Sequence, residues 1–515
     1  TNHEPMPKIL TSDQIRACDQ ATIRNQNIDS TDLMERAALE CTNWISKRLN
    51  RSYSFHIFCG PGNNGGDGLA ISRLLSESGY SCTAYVHRTE SRSTDCQFNL
   101  DRLISSHPDS VIYIDEGDLP DISTGRNILI DALFGSGLNR PIQGFYARII
   151  DFINTQSGLR IAIDIPSGLY ADKAPVSDSV IFKADHTLSF QLVKRSFLHP
   201  ESAHYTGEVH LLNIDLDKNF IELANTEYYY LDADSIKQLY KSRNPFGHKG
   251  TYGNALIVTG QYGMMGAATL TCRASMKSGV GKATALIPAC GINILQTAAP
   301  EVTCITAGSN YISNVSHDGH SRTLDLSEYT SVALGPGIGK NSETALFISE
   351  IIDEATDPMI LDADALNIIA EHKEWLTKIP ANSIITPHPR EFSRLFGDTA
   401  NSFDQLELAR RMATELGIVI VLKGHHTTIN LPDGSTFYNM TGNAGLATGG
   451  SGDVLTGIIA GLLAQGYLPE EAAKLGVWIH GKAADLAIRS ESVESLIASD
   501  IITYLGEAFK SITPY

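Results

Sequence analysis

The sequence predicts an α/β protein of two unlike tandem domains, the first a doubly wound parallel sheet. Three observations carry this. Short apolar runs alternate with stretches of helical spacing along nearly the whole chain. Many of those runs begin or end at Gly, Asp or Pro, the turn residues that join a buried strand to a helix. The alternation lapses around residues 215–230 and then resumes, and 515 residues suffice for two or three domains.

Taken in order, residues 11–49 read as helical, with Thr31 or Asp32 as a cap and Leu33, Met34, Ala37, Ala38, Cys41, Trp44 and Ile45 at helical spacing. Residues 55–59 form a short apolar strand that enters a glycine-rich turn, and helical spacing returns over 69–78. Further strands are predicted at 83–86, 111–114, 127–131, 160–164 and 186–190. The second block repeats the logic at 255–259, 283–287, 331–334, 358–361, 383–386 and 418–422. The boundary falls within 222–235, which divides the chain into domains 1–225 and 226–515.

Composition narrows the partners. With 40 Lys+Arg against 58 Asp+Glu the formal charge is −18, and no basic run is present, so a general binder of nucleic acid or anionic membrane is disfavoured. Small molecules are the expected partners. The eight cysteines are scattered without a CxxC pair and read as reduced thiols. No apolar run reaches the roughly 18–20 residues of a membrane span, and the opening TNHEPMPKIL lacks the marks of a leader peptide. The expected location is the cytoplasm, and a homo-oligomer is left open.

Chemistry in the first domain gathers at strand ends. Gly60 to Gly68 (GPGNNGGDG) holds five glycines in nine residues before a helix, which lets a ligand approach backbone amides. The strands at 127–131 and 160–164 end at Asp131 and Asp164. One such Asp is as often a turn former or cap. Three loops at the same edge of one sheet favour a site.

In the second domain, Gly335-Pro336-Gly337-Ile338-Gly339-Lys340-Asn341 lacks the GxxxxGK[ST] spacing of a P-loop. The stronger signal is Thr448 to Gly457 (TGGSGDVLTG), which sets small residues before a helix and Asp453 in its first turn. Amides there can neutralise a phosphoryl group in transfer, and Asp453 can take a proton from an attacking hydroxyl. LDADALN (361–367), TPHPREF (386–392) and LKGHHT (422–427) each follow a strand and add polar groups to the same edge. Alternatives remain for each: Asp362 and Asp364 as caps, His388 as a turn residue. His425 and His426 are discounted as a metal pair, because neighbours on a strand point to opposite faces.

GPGNNGGDG, DALFGSGLNRP and AIDIPSG resemble the NAD(P)H-hydrate epimerase domain over nearly all of residues 10–215. The resemblance implies a Rossmann-like sheet whose substrate loops are Asn63, Asn64, Gly65, Gly66 and Asp67, together with Gly135, Ser136, Gly137, Leu138, Asn139, Arg140 and Pro141. It implies a potassium ion held by Asn64, Asp131 and Ser167, and Asp164 as the acid/base at the damaged ring. In the second half, GAA, GPGIG, LDADALN, TPHPREF, KG and GGSGD, in that order, resemble the ribokinase-like NAD(P)H-hydrate dehydratase over about residues 235–512. By that resemblance Ala267, Gly337, His388 and Asp453 contact substrate, and Lys423, Gly424, His425, His426, Thr427 and Gly452 the nucleotide. Asp453 is then the catalytic base.

Together the two resemblances imply repair of hydrated NADH and NADPH: epimerisation of the R and S forms, then dehydration of the S form with ADP, alongside Mg2+, as phosphoryl donor. ATP as donor stays open. The rival reading is a small-molecule kinase, for a vitamin or sugar alcohol, fused to a nucleotide-binding regulatory domain.

Overall fold

The computed structural model describes residues 6–88, 91–314 and 324–514. Part of the opening stretch read for a leader, residues 1–5, lies outside them. Internal contacts divide the chain into two units, one of Lys8–Thr226 with Asn401–Phe403, the other of Glu227–Ala400 and Asp404–Tyr515 with a short N-terminal piece.

The first unit carries β1 (Ser54–Cys59), β2 (Ser81–His87), β3 (Val111–Ile114), β4 (Asn127–Ala132), β5 (Leu159–Ile163), β6 (His186–Phe190) and β7 (Glu208–Leu212). They form one sheet in the order β3-β2-β1-β4-β5-β6-β7, with every pairing parallel. β4 sits at the centre and is buried at all six positions, as its continuous apolar run predicts for a strand covered on both faces. β7 was not expected from the sequence. Its partial exposure along a short EVHLL segment is that of an edge strand, which carries a weak apolar signal.

Residues 11–49 are two helices rather than one, Ser12–Gln26 and Ser30–Ser46. Asn27 breaks the run in the left-handed region at φ 53°, which Asn tolerates, and its N–H closes back onto the first helix. Thr11 caps the first helix, and the second starts at Asp29. Asp32 serves that start from inside the helix, accepting the Asp29 N–H at 2.9 Å, and Thr31 is not the cap.

The second unit carries β8 (Tyr228–Tyr230), β9 (Asn254–Val258), β10 (Lys282–Ile287), β11 (Thr303–Thr306), β12 (Ser331–Leu334), β13 (Ile360–Leu361), β14 (Ile384–Ile385), β15 (Val419–Leu422), β16 (Thr428–Asn430) and β17 (Thr436–Tyr438). The order is β11-β10-β9-β12-β13-β14-β15-β16-β17-β8. All six strands predicted here are present; β8, β11, β16 and β17 are additions. β16 and β17 turn antiparallel, and β8 joins β17 in parallel at the edge. Three-residue strands rich in Thr, Asn and Tyr lack an apolar run, although Pro432-Asp433-Gly434 is a legible turn between two of them. Helix Ser451–Ala464 is buried along nearly its whole length, so its N-terminus is held rigidly against the sheet.

No helix among the described residues is long and apolar enough to cross a membrane. All eight cysteines are free.

Candidate functional site

In a parallel sheet ligands settle outside the carboxyl ends of the strands where the strand order reverses. In the first unit that point lies between β1 and β4, neighbours whose chains depart to opposite sides. Residues 60–62 after β1, the loop after β4 and Asp164 after β5 all open at this edge; the helix predicted from 69 already starts at Asn63 (Asn63–Glu77), so most of the glycine-rich stretch is its first turns.

Asn64 is buried, and neither polar atom of its carboxamide has a hydrogen-bond partner. Asp131 is fully buried: its Oδ1 accepts the Ser167 hydroxyl at 2.6 Å and the Leu133 N–H at 3.0 Å, and its Oδ2 accepts the Ser167 N–H at 2.7 Å. Burial pushes the Asp131 carboxyl up to about 6 against those bonds. Asp164 adopts φ 71°, a costly conformation for a non-glycine residue that clusters at functional sites. Its Oδ2 accepts the Ser136 N–H at 2.8 Å and its Oδ1 pairs with Lys194 Nζ at 2.9 Å. A Cβ on Gly135 would lie 2.9 Å from that Oδ2, so only glycine leaves the carboxylate its place.

Lys194 and Asp19 belong to this cluster and were missed in the sequence. The Lys194 side chain is 1% exposed and also donates to Ser189 Oγ at 2.8 Å. Asp19, on helix Ser12–Gln26, is pushed up to about 7 by burial and by the Asp164 charge, with Lys194 opposing. Burial, then Asp164 and Asp19, holds Asp67 well above the usual carboxylate range. One ion pair therefore stands beside two carboxyls whose proton affinity is raised by burial and by neighbouring charge. Lys194 follows β6, a strand end like the others, and was within reach of the argument. Asp19 was not, because nothing in a helical stretch marks one polar residue for a site on another element. Gly65 and Gly66 are buried, while Asn63, Gly137, Asn139 and Arg140 are exposed and Ser136, Leu138 and Pro141 partly so.

The second unit has its reversal between β9 and β12. Gly337, at φ 69°, closes on the start of helix Met265–Lys277: a Cβ there would lie 2.9 Å from the Ala267 Cβ. The structure thus brings Ala267 and Gly337 together. Asp364 pins the same loop by accepting the Gly339 N–H at 2.9 Å.

A second cluster forms at the N-terminus of helix Ser451–Ala464. Lys423 Nζ, just past β15, lies 3.3 Å from Asp362 Oδ1, and the Thr456 hydroxyl donates to Asp362 Oδ2 at 2.6 Å. A Cβ on Gly452 would lie 3.1 Å from Lys423 Nζ, which puts the ammonium at the helix start. Burial works against the charged lysine, but Asp362, Glu391 and Asp453 hold it above its usual range. Burial and the Asp362 charge push Asp453 up to about 7, with Lys423 opposing. Thr456 and Glu391 were not singled out in the sequence.

His388 caps helix Pro389–Phe396, its Nδ1 accepting the Arg390 and Glu391 N–H groups at 3.2 and 3.3 Å. Nε2 therefore carries the ring proton, and burial followed by Lys423 lowers the tendency to take a second. His425 and His426 sit in the turn between β15 and β16, so the strand argument used to separate them does not hold. Their rings meet edge to face at 4.5 Å. His426 Nδ1–H donates to the Asn439 carbonyl at 3.0 Å, and burial lowers its pKa to about 4. Gly424 and His425 are exposed, and Thr427 accepts the Gly424 N–H at 3.2 Å. Surface depressions lined by Arg73, Phe98 and Arg102, and by Asp325, Glu354 and Met359, include none of the predicted residues.

Fold and geometry define a class: a two-domain α/β enzyme with one site of paired carboxyls and an ammonium, and another that sets a lysine and a carboxyl at a helix start. Family models match both halves of the chain. Residues 30–196 match the YjeF-related protein N-terminus, and residues 255–506 match NAD(P)H-hydrate dehydratase. The chain is 33% identical to the bifunctional NAD(P)H-hydrate repair enzyme Nnr of Moorella thermoacetica, over 98% of this chain and 97% of the relative. It is 32% identical to the Nnr of Thermofilum pendens, over 98% and 97%. The chain belongs to the bifunctional NAD(P)H-hydrate repair enzyme family. Among solved structures, the ADP/ATP-dependent NAD(P)H-hydrate dehydratase of Bacillus subtilis, co-crystallised with ATP and Mg2+, is 31% identical with a TM-score of 0.47 and covers 55% of this chain and 98% of its own.

Proposed function

We propose that the chain repairs hydrated NADH and NADPH in two steps, with an epimerase in residues 1–225 and a dehydratase in residues 226–515. The observation that carries this is the full-length match to bifunctional repair enzymes, joined to a carboxyl cluster in each half. In the first half Asp164, paired with Lys194, exchanges a proton with the hydroxyl-bearing ring, and Asp19 and Asp67, both raised above the usual carboxylate range, lie close by. The partly exposed Gly135–Pro141 loop and Asn63–Asp67 at the start of helix Asn63–Glu77 receive the dinucleotide. Asn64, Asp131 and Ser167 would hold potassium. An all-oxygen set that includes a buried carboxamide without a partner suits a hard cation, which would supply positive charge beside the pyrophosphate.

In the second half the S hydrate lies along Ala267, Gly337 and His388, and the nucleotide beside Lys423–Thr427 and Gly452. Asp453 takes the hydroxyl proton as that oxygen attacks the terminal phosphoryl of ADP, accompanied by Mg2+, and AMP leaves with the electrons of the broken P–O bond. Lys423 and the amides opening helix Ser451–Ala464 balance the transferred charge. Phosphate then leaves with the C–O electrons, the neighbouring ring carbon gives up a proton, and the double bond is restored. Phosphate is a far better leaving group than hydroxide, which is the physical reason a nucleotide is consumed. Eight free thiols suit the cytoplasm, where this chemistry would run.

The test supplies mixed R and S NADH hydrate with ADP or ATP in turn and follows the return of dihydronicotinamide absorbance. Both epimers should be consumed completely. A stable phosphorylated product with no NADH formed would instead identify a small-molecule kinase.

A further inference from the structure

We propose that His186, Glu208 and His210 form a site for a divalent transition-metal cation, with Zn2+ as the probe, apart from either catalytic crevice. His186 opens β6 and pairs in register with Glu208, which opens β7; His210 lies two residues further along β7. The period of two puts Glu208 and His210 on one face of the sheet, and the parallel register puts His186 there with them. Because the strands are parallel, the amino ends of β6 and β7 lie at the opposite edge of the sheet from Asp131 and Asp164, which stand at the carboxyl ends of β4 and β5. Among the described residues this is the only group of three such ligands close enough to share an ion.

The distances decide the size of the ion. His186 Nδ1 and His210 Nε2 share a hydrogen bond of 3.0 Å, which an ion would replace, and Glu208 Oε2 is 3.8 Å from the first and 4.0 Å from the second. The centre of that triangle lies about 2.1 Å from each corner, the length of a zinc bond to imidazole nitrogen or carboxylate oxygen. Two imidazoles and a carboxylate are the donors that Zn2+ and its neighbours prefer, whereas Mg2+ and Ca2+ ask for oxygen alone. The histidine side chains are only 25% and 16% exposed, and Glu208 is 71% exposed, so the carboxylate faces solvent, where a water can complete the shell. Trp44 backs the site, its ring centroid 5.2 Å from His186 and 4.8 Å from His210. A bound ion would tie edge strand β7 to β6 by side chains as well as by backbone.

The test uses the full-length chain stripped with chelator and held in potassium chloride. Calorimetric titration with Zn2+ should show one ion bound per chain at micromolar concentrations, and Co2+ in its place should give a visible d–d absorption. Thermal unfolding should move upward on adding Zn2+. His186→Gln and His210→Gln should each abolish all three responses, the shift on adding Zn2+ being read against each variant's own metal-free melting curve. As a second readout, Cu2+ should quench Trp44 fluorescence, identified by its loss in Trp44→Phe, and His210→Gln should relieve the quenching. Absence of Zn2+ binding, or binding that survives both histidine substitutions, for instance at the His425–His426 turn, would overturn the assignment.

Discussion

Replacing Asp453 with Asn should abolish dehydration and at the same time stabilise the second unit. The two effects share one cause. Burial and the charge of Asp362 lift the Asp453 carboxyl from 3.8 to about 7, so the fold resists the ionised form that a base must use. By linkage that difference amounts to at most about 4 kcal/mol above neutrality. Solvent screening of a partly exposed group and loss of the attraction to Lys423 reduce the net gain to about 2 kcal/mol, or about 3 °C in Tm for a unit of this size. The sign is set by pH. A carboxyl whose folded pKa is raised contributes stability below its unfolded value and loses it as pH rises through the folded one. The variant should therefore match the parent near pH ~4 and gain on it progressively up to about pH 7, then keep a constant lead. Melting curves across that range, with conversion of purified S hydrate in the presence of ADP, make the assay. Dehydration should fall by about 10²–10⁴-fold, as for loss of a general base. Retained dehydration, or a melting point lowered at every pH, would refute the reasoning.

In the first unit, Asp164→Asn should stop conversion of the R hydrate and leave dehydration of supplied S hydrate intact, measured with the separated epimers. Lys194→Met strands the Asp164 charge; it should cost about 3–5 kcal/mol of that unit's stability by denaturant unfolding and stop epimerisation as well. Gly135→Ala should slow epimerisation about tenfold or more, since its methyl meets the Asp164 carboxylate, with S-hydrate dehydration as the internal control. Exchanging potassium for tetramethylammonium should depress epimerisation alone, and Asn64→Ala should remove the response when potassium is restored.

Much of the fold was legible because buried parallel strands announce themselves. β1, β4 and β5 each carry three consecutive apolar residues just before Gly or Asp, and the six predicted strands of the second unit are likewise short apolar runs. β7 and β8 were not legible because edge strands bury less, and β16 and β17, although buried, are only three residues long and carry Thr and Asn in place of an apolar run. The same rule misled at His425 and His426, where a strand was extended into what is a turn. In the site, residues at strand ends and helix starts, such as Asp131, Asp164, Lys423 and Asp453, were within reach because topology alone sends those positions to one edge. Asp19 was not, since it arrives from a separate helix.

The sequence by itself determined the two α/β domains, the loops that must face a ligand, and a charge of −18 that leaves anion recognition to amides and a few placed cations. Only the tertiary structure decided which charges work together. Lys194 meets Asp164 across the loops of β5 and β6, Lys423 meets Asp362 and Thr456 at a helix start, and two histidines meet a glutamate on paired strands. Such partners lie tens of residues apart in the chain and are joined only by strand order and register. Burial then sets their protonation, and burial is a property of the packed fold rather than of any local run of residues.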